Sequence, residues 1–142
     1  MKILKSVGIL FCAAAVLLIG WIVVRRDAPP LRLVRSGNEI VVDVQTLGEY
    51  PTTVSRIRLS DVSQSKIVWE VEVERGTPQI HEFSLRPDDN SPALESQYGD
   101  YRVVAPKGDS RFVLRKGVRY RIEVWGGKTD FTKRSATFSF AG

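Results

Sequence analysis

A chain of 142 residues has room for one ordinary domain and a short appendage, since domains most often run to roughly 100–150 residues. With 43% hydrophobic, 26% charged and 9% aromatic residues, it is neither a disordered chain, nor a collagen-like repeat, nor a disulfide scaffold. The formal charge of +5 is unevenly laid out: Lys2, Lys5, Arg25 and Arg26 stand in residues 1–26 without an acid, leaving 17 bases against all 16 acids in the rest of the chain. The excess flanks an apolar segment and speaks for topology, so nucleic acid is not an expected partner; phosphate contact needs a concentrated basic surface.

Residues 6–24 read SVGILFCAAAVLLIGWIVV, without a charge. As a helix rising about 1.5 Å per residue, this stretch spans roughly 28 Å, close to the hydrocarbon thickness of a bilayer. Trp21 stands near one end, where an interfacial aromatic belongs. The run leaves the apolar stretch through Ile22-Val23-Val24-Arg25-Arg26, without the small residues a signal-peptide cut requires. Phe11 before Cys12 does not suit lipidation. The expected organisation is a stub at 1–5, a transmembrane signal-anchor at 6–24, a linker at 25–30 stiffened by Pro29 and Pro30, and a domain at 31–142. The short lysine-bearing stub resembles a bacterial signal-anchor, which places the protein in the inner membrane as a single-pass protein with its domain periplasmic. Arg25, Arg26, Arg32 and Arg35 argue the other way, and secretion after cleavage is the alternative. Cys12, the sole cysteine, lies in the apolar segment, so the domain has no internal disulfide.

The domain reads as strand after strand. Ile40, Val42 and Val44 alternate with polar or outward positions, the period of two of a strand with one buried face. Ile57 and Leu59 alternate with Arg56 and Arg58; Ile67, Trp69, Val71 and Val73 alternate with Val68, Glu70, Glu72 and Glu74. These two runs predict a hairpin around Asp61 to Ser65; pairing about residue 63 sets Ile57 opposite Trp69 and Arg56 opposite Glu70. Phe83 and Leu85 end a shorter run, and residues 86–99, rich in Pro, Asp, Asn and Ser, read as a long loop. Strands resume at 101–105 and 111–114, and the last pair, 118–125 and 135–140, is joined across Gly126-Gly127. No stretch after Pro30 has a helical period.

The most specific local signal is Leu114-Arg-Lys-Gly117-Val-Arg-Tyr120-Arg-Ile122-Glu-Val124. It resembles the pattern in fibronectin type III domains in which a leucine, a glycine and a tyrosine, each three residues apart, lead into an alternating strand. The resemblance implies an antiparallel sandwich of about seven strands, fibronectin III-like or immunoglobulin-like, behind the transmembrane helix. It also implies a tyrosine corner in which Tyr120 packs its ring inside and bonds its hydroxyl to backbone just upstream. Two departures stand against it: the early-strand tryptophan is missing, and the loop at 86–99 is long for that family.

No constellation for chemistry emerges. His81, followed by Glu82 and Ser84, has no nucleophile elbow with it, and residues 81 and 84 of a strand point to opposite faces. One histidine and no cysteine in the domain do not make a zinc or copper site. Asp88-Asp89-Asn90-Ser91, with Glu95 and Asp100, has the oxygens for calcium without the EF-hand spacing, and turn chemistry accounts for them. The expectation is therefore a protein without enzymatic activity, cofactor or metal. In a sandwich of this kind Arg56, Arg58, Arg119, Arg121 and Trp125 share one outward sheet face with Glu70 and Glu72, a composition suited to a protein partner in the envelope. The plain alternative is a solvated face whose arginines pair with its glutamates. A carbohydrate or other envelope ligand stacking on Trp125 or Tyr98 is the second functional expectation.

Overall fold

The computed structural model describes residues 14–16, 31–44, 52–92, 94, 96, 98–126 and 133–142. Residues 14–16 are helical, and among the described residues no helix is long and apolar enough to cross a membrane. The remainder of the expected anchor at 6–24, the stub and the linker lie outside the described residues.

All the remaining regular structure among the described residues is β. In chain order the strands are β1 (Arg32–Ser36), β2 (Glu39–Asp43), β3 (Thr52–Asp61), β4 (Lys66–Gly76), β5 (Gln79–Ile80), β6 (Glu82–Leu85), β7 (Asp88–Asn90), β8 (Gly99–Ala105), β9 (Phe112–Leu114), β10 (Tyr120–Gly126) and β11 (Lys133–Phe138). They pair throughout as antiparallel neighbours. A small sheet runs β1-β2-β6, a large one runs β11-β10-β3-β4-β8 with β5 on the start of β3, and β7 pairs with β9. Ile40 and Val42 of the small sheet belong to the same buried cluster as Val54, Ile57, Leu59, Trp69, Val71, Ile122 and Val124 of the large one. The arrangement is an all-β fold compatible with a sandwich, its alternating apolar positions turned to one shared interior.

Trp69 is the largest fully buried side chain. Its indole stacks on Phe112 at 5.2 Å and meets Phe83 edge-on at 6.0 Å. Each such pairing adds about 0.5–1.5 kcal/mol to the burial itself. It thus joins β4 to the small sheet through β6 and to the β7-β9 pair. Arg134, on β11, is the one cation among the described buried residues. Its Nη2 donates to the Val44 carbonyl at 2.6 Å. Burial lowers the pKa of this guanidinium and the Asp43 carboxylate opposes that shift, so a charge shut between sheets keeps a counter-charge beside it.

The registers place the two ends of the domain. Arg32 faces Asp43, and Val44 accepts from Arg134 at the start of β11, so β1 begins where β2 ends and β11 begins. At the opposite end lie the turn at Gly37, the hairpin loop between β3 and β4, the segment leading into β10 and the C-terminus. Arg35 there donates to Ser139 O, and Gly117 N–H to Phe140 O. The chain enters the domain at one end, and these turns form the far end.

Several expectations are corrected. The β3-β4 hairpin sets Leu59, not Ile57, opposite Trp69, and Arg58, not Arg56, opposite Glu70. Asp61 Oδ1 accepts the Ser63 N–H at 2.9 Å, the Ser63 hydroxyl at 2.6 Å and the Gln64 N–H at 3.2 Å, and Ser65 takes φ 50°, building a four-residue loop at 62–65. A bulge follows between Leu59 and Ser60, which takes up the extra residue Val68. Together they move the ladder by two residues, which preserves which side chains face inward. The same bulge turns Ile67 out to 42% exposure where alternation placed it inside. Residues 86–99 are not one open loop. Asp88–Asn90 pairs with β9, and Asn90 is buried, its Oδ1 accepting from Arg86 N–H at 3.0 Å and its Nδ2 donating to Arg86 O at 2.7 Å. Local composition reports a turn there and not the distant strand that satisfies it. β1, β5 and β7 are not among the runs read as strands, and the described residues form eleven strands where about seven are expected.

Candidate functional site

The outward face of the large sheet brings together side chains from β11, β10, β3, β4 and β8. Trp125 of β10 faces Arg56 of β3 and Lys133 of β11 across the ladders. The guanidinium carbons of Arg56 and Arg58 lie 5.4 and 5.2 Å from its ring centroid and the Lys133 ammonium 5.9 Å away, so one indole is ringed by three cations. Those cations are shared with carboxylates. Arg58 Nε donates to Glu70 at 2.7 Å, Arg56 lies 3.9 Å from Glu70 and 3.6 Å from Glu72, Arg102 reaches Glu72 at 3.1 Å, and Lys133 reaches Glu123 at 3.3 Å. The hydrogen bond to Glu70 leads the causes that raise the Arg58 pKa, burial opposing it. Glu70 has a side chain only 6% exposed, so two arginines supply the solvation that water cannot.

The five residues singled out from the sequence thus divide. Arg56, Arg58 and Trp125 are one interlocked cluster. Arg121 lies on the same face nearer the far end, opposite Ser60 and Thr137, and Arg119 lies just before β10. Both are exposed, and neither has an ion pair among the described residues. Arg102, Lys133 and Glu123, which complete the cluster, went unnoticed in the sequence. Their signal was available as outward positions on strands, but only the register brings them beside Trp125.

Leu114, Gly117 and Tyr120 form a second constellation. Leu114 and Tyr120 are buried, and the Tyr120 hydroxyl accepts the Arg115 N–H at 2.8 Å. Gly117 has φ +76°, the left-handed region that glycine enters without strain. Tyr120 also packs against Phe138 at 5.7 Å, which ties the turn to β11. The hydroxyl occupies a backbone donor that the turn leaves without a ladder partner, and the role is structural.

Among the described residues no group of three or more His, Cys, Asp or Glu is placed to hold a metal. His81 is exposed, and its carbonyl accepts from Val44 N–H at 2.9 Å.

The described surface also has concavities. A cleft of about 500 Å³ lies over β4 and β8, floored by Trp69, Val71, Tyr101 and Val103 and closed by Pro92 and Leu94. Tyr101 donates its hydroxyl to Val54 O at 2.7 Å, and burial raises its pKa. Tyr98, exposed, precedes the cleft-lining Gly99. A second hollow of about 370 Å³ sits at the far end between the start of β4 and β9. Neither the family models nor the curated proteins compared with this chain match it.

Proposed function

We propose that this protein is a noncatalytic interaction module, held in the bacterial inner membrane by residues 6–24, that presents a β-sandwich to a protein partner in the envelope. The observation that carries the reading is the outward face of the large sheet. Trp125 and its cations are locked by carboxylates on neighbouring strands, so the face is preorganised, and docking onto it costs little side-chain entropy. Aromatic and arginine side chains are the types that anchor protein interfaces. The strand orders β1-β2-β6 and β11-β10-β3-β4, with Tyr120 bonded to the turn before it, favour the fibronectin III-like form of the sandwich. The domain lies on the periplasmic side in this reading.

Cross-linking of the full-length chain in its native membrane, followed by mass spectrometry, tests it. Reproducible cross-links from the domain to one protein are the expected outcome. A chain that stays uncross-linked at native expression overturns it.

A carbohydrate or other envelope ligand is the second reading, favoured by the cleft over β4 and β8 with Tyr98 exposed beside it. Trp125 is a poor stacking platform because guanidinium groups already lie over its ring. Titration with envelope glycans, repeated on Tyr98→Ala, separates the two: saturable binding lost in the variant favours the second.

A further inference from the structure

The far end of the domain carries a charge imbalance that the net figure conceals. Residues 106–121 contain Lys107, Arg111, Arg115, Lys116, Arg119 and Arg121 against one acid, Asp109. Lys66 joins them from the start of β4, lining the same hollow as Arg115. Asp61 lines the hollow as well, within electrostatic reach of Arg115 and with one oxygen engaged by two Ser63 donors and the Gln64 N–H, and Asp88 and Asp89 of β7 pair with Leu114 and Val113. The basic groups at this end therefore outnumber the acids that could neutralise them.

An apolar notch lies in the midst of this charge. β8 follows β4 only as far as the Ala105–Glu70 pair, because Pro106 has no N–H with which to continue. β4 nevertheless runs on to Lys66. The space β8 leaves is a hollow of about 370 Å³ whose apolar walls include Ile67, Val68, Pro106, Val113 and Val118. Ile67 is 42% and Val113 58% exposed, the first through the bulge at Val68 and the second through the alternation of β9. Two aliphatic side chains held open beside a pocket, rimmed by cations, match one kind of occupant.

We infer that the far-end notch docks a segment of the protein partner in which acidic and aliphatic residues alternate, its aliphatic side chains entering between Ile67 and Val113 and its carboxylates meeting Lys66 and Arg115. The inference rests on the interaction-module reading and adds to it a second docking surface, apart from the Trp125 face, and the chemistry of the partner segment it takes. Position argues against a lipid surface. If residues 6–24 anchor the chain, it enters the domain at the other end, about 20 Å from the notch along a seven-residue strand. The aliphatic walls argue against a nucleic-acid backbone, which offers phosphates and sugars but no chain of apolar side groups.

The test uses the full-length chain in phosphatidylcholine nanodiscs and fluorescence anisotropy with short labelled peptides. A peptide alternating Glu and Leu is expected to bind about tenfold tighter than one alternating Lys and Leu or Glu and Ser. Val113→Glu and Arg115→Glu are each expected to weaken it about tenfold with an unchanged melting temperature, while Trp125→Ala leaves it unaffected. Equal binding of all three peptides overturns the inference. So does loss on Arg115→Glu without loss on Val113→Glu, because charge alone then suffices. Tighter binding of a labelled oligothymidylate or of phosphatidylglycerol vesicles also overturns it. Failure here with membrane cross-links still forming removes the notch and leaves the module; absent cross-links with intact peptide binding do the reverse.

Discussion

The two ends of one sheet face treat arginine in opposite ways. Around Trp125, Arg56 and Arg58 are consumed by Glu70, Glu72 and the indole, and the cluster is part of what holds β10, β3 and β4 together. At the far end Arg119 and Arg121 have no ion pair among the described residues, and where Arg121 pairs β3 offers Ser60 and β11 offers Thr137. An arginine is thus structural or available according to what its cross-strand neighbours are, and composition alone cannot distinguish the two.

Substitutions can break or sharpen that contrast. Arg58→Ala strips the closest counter-charge from a Glu70 that is almost fully shut from water, and is expected to cost about 2 kcal/mol, Arg56 making up part of the loss. Urea unfolding measures it, and peptide binding at the far end should not change. Tyr120→Phe leaves the Arg115 N–H without its acceptor and is expected to cost about 1.5 kcal/mol by the same measurement. Trp125→Ala removes the ring shared by three cations but leaves the ion pairs, so about 1 kcal/mol is expected. Arg121→Glu should fall within about 0.5 kcal/mol of the parent, as exposed positions without partners do. A large loss there would show that the far end is structural after all.

The smallest effect is one of pH. The Ser63 hydroxyl, foremost among the causes, holds the Asp61 carboxyl below its ordinary value of 3.8. A carboxyl whose folded pKa is depressed stabilises the folded state fully above its ordinary value and loses that contribution as pH falls through the lowered one. The amide resonances of Ser63 and Gln64 should therefore titrate with a midpoint below 3.8, and Asp61→Asn should abolish the transition. A midpoint at or above the ordinary value would mean that the turn does not hold the carboxylate.

Much of the fold was legible because it is local. The alternation in residues 56–59 and 120–125 marks strands with one buried face, and the hydroxyl of Tyr120 meets a backbone group five positions away. The hairpin register was not legible, because it depends on how the Asp61 loop closes and where Val68 bulges, and a loop one residue longer with one bulge moves every pair beyond the bulge by two. The notch was invisible for the same reason: Ile67 and Val113 lie far apart in the chain, and each alone reads as an ordinary strand residue. Asn90 likewise reads as a turn residue until β9 is placed beside it.

By itself, then, the sequence determined that the domain is built of antiparallel strands, because side chains alternate with a period set by the backbone of each strand separately. It also determined where charge is concentrated along the chain. Only the tertiary structure decided which charges meet. Ladder partners are chosen by loop closure and bulges between distant segments, and those choices locked Arg56 and Arg58 around Trp125 while leaving the far end basic and apolar together.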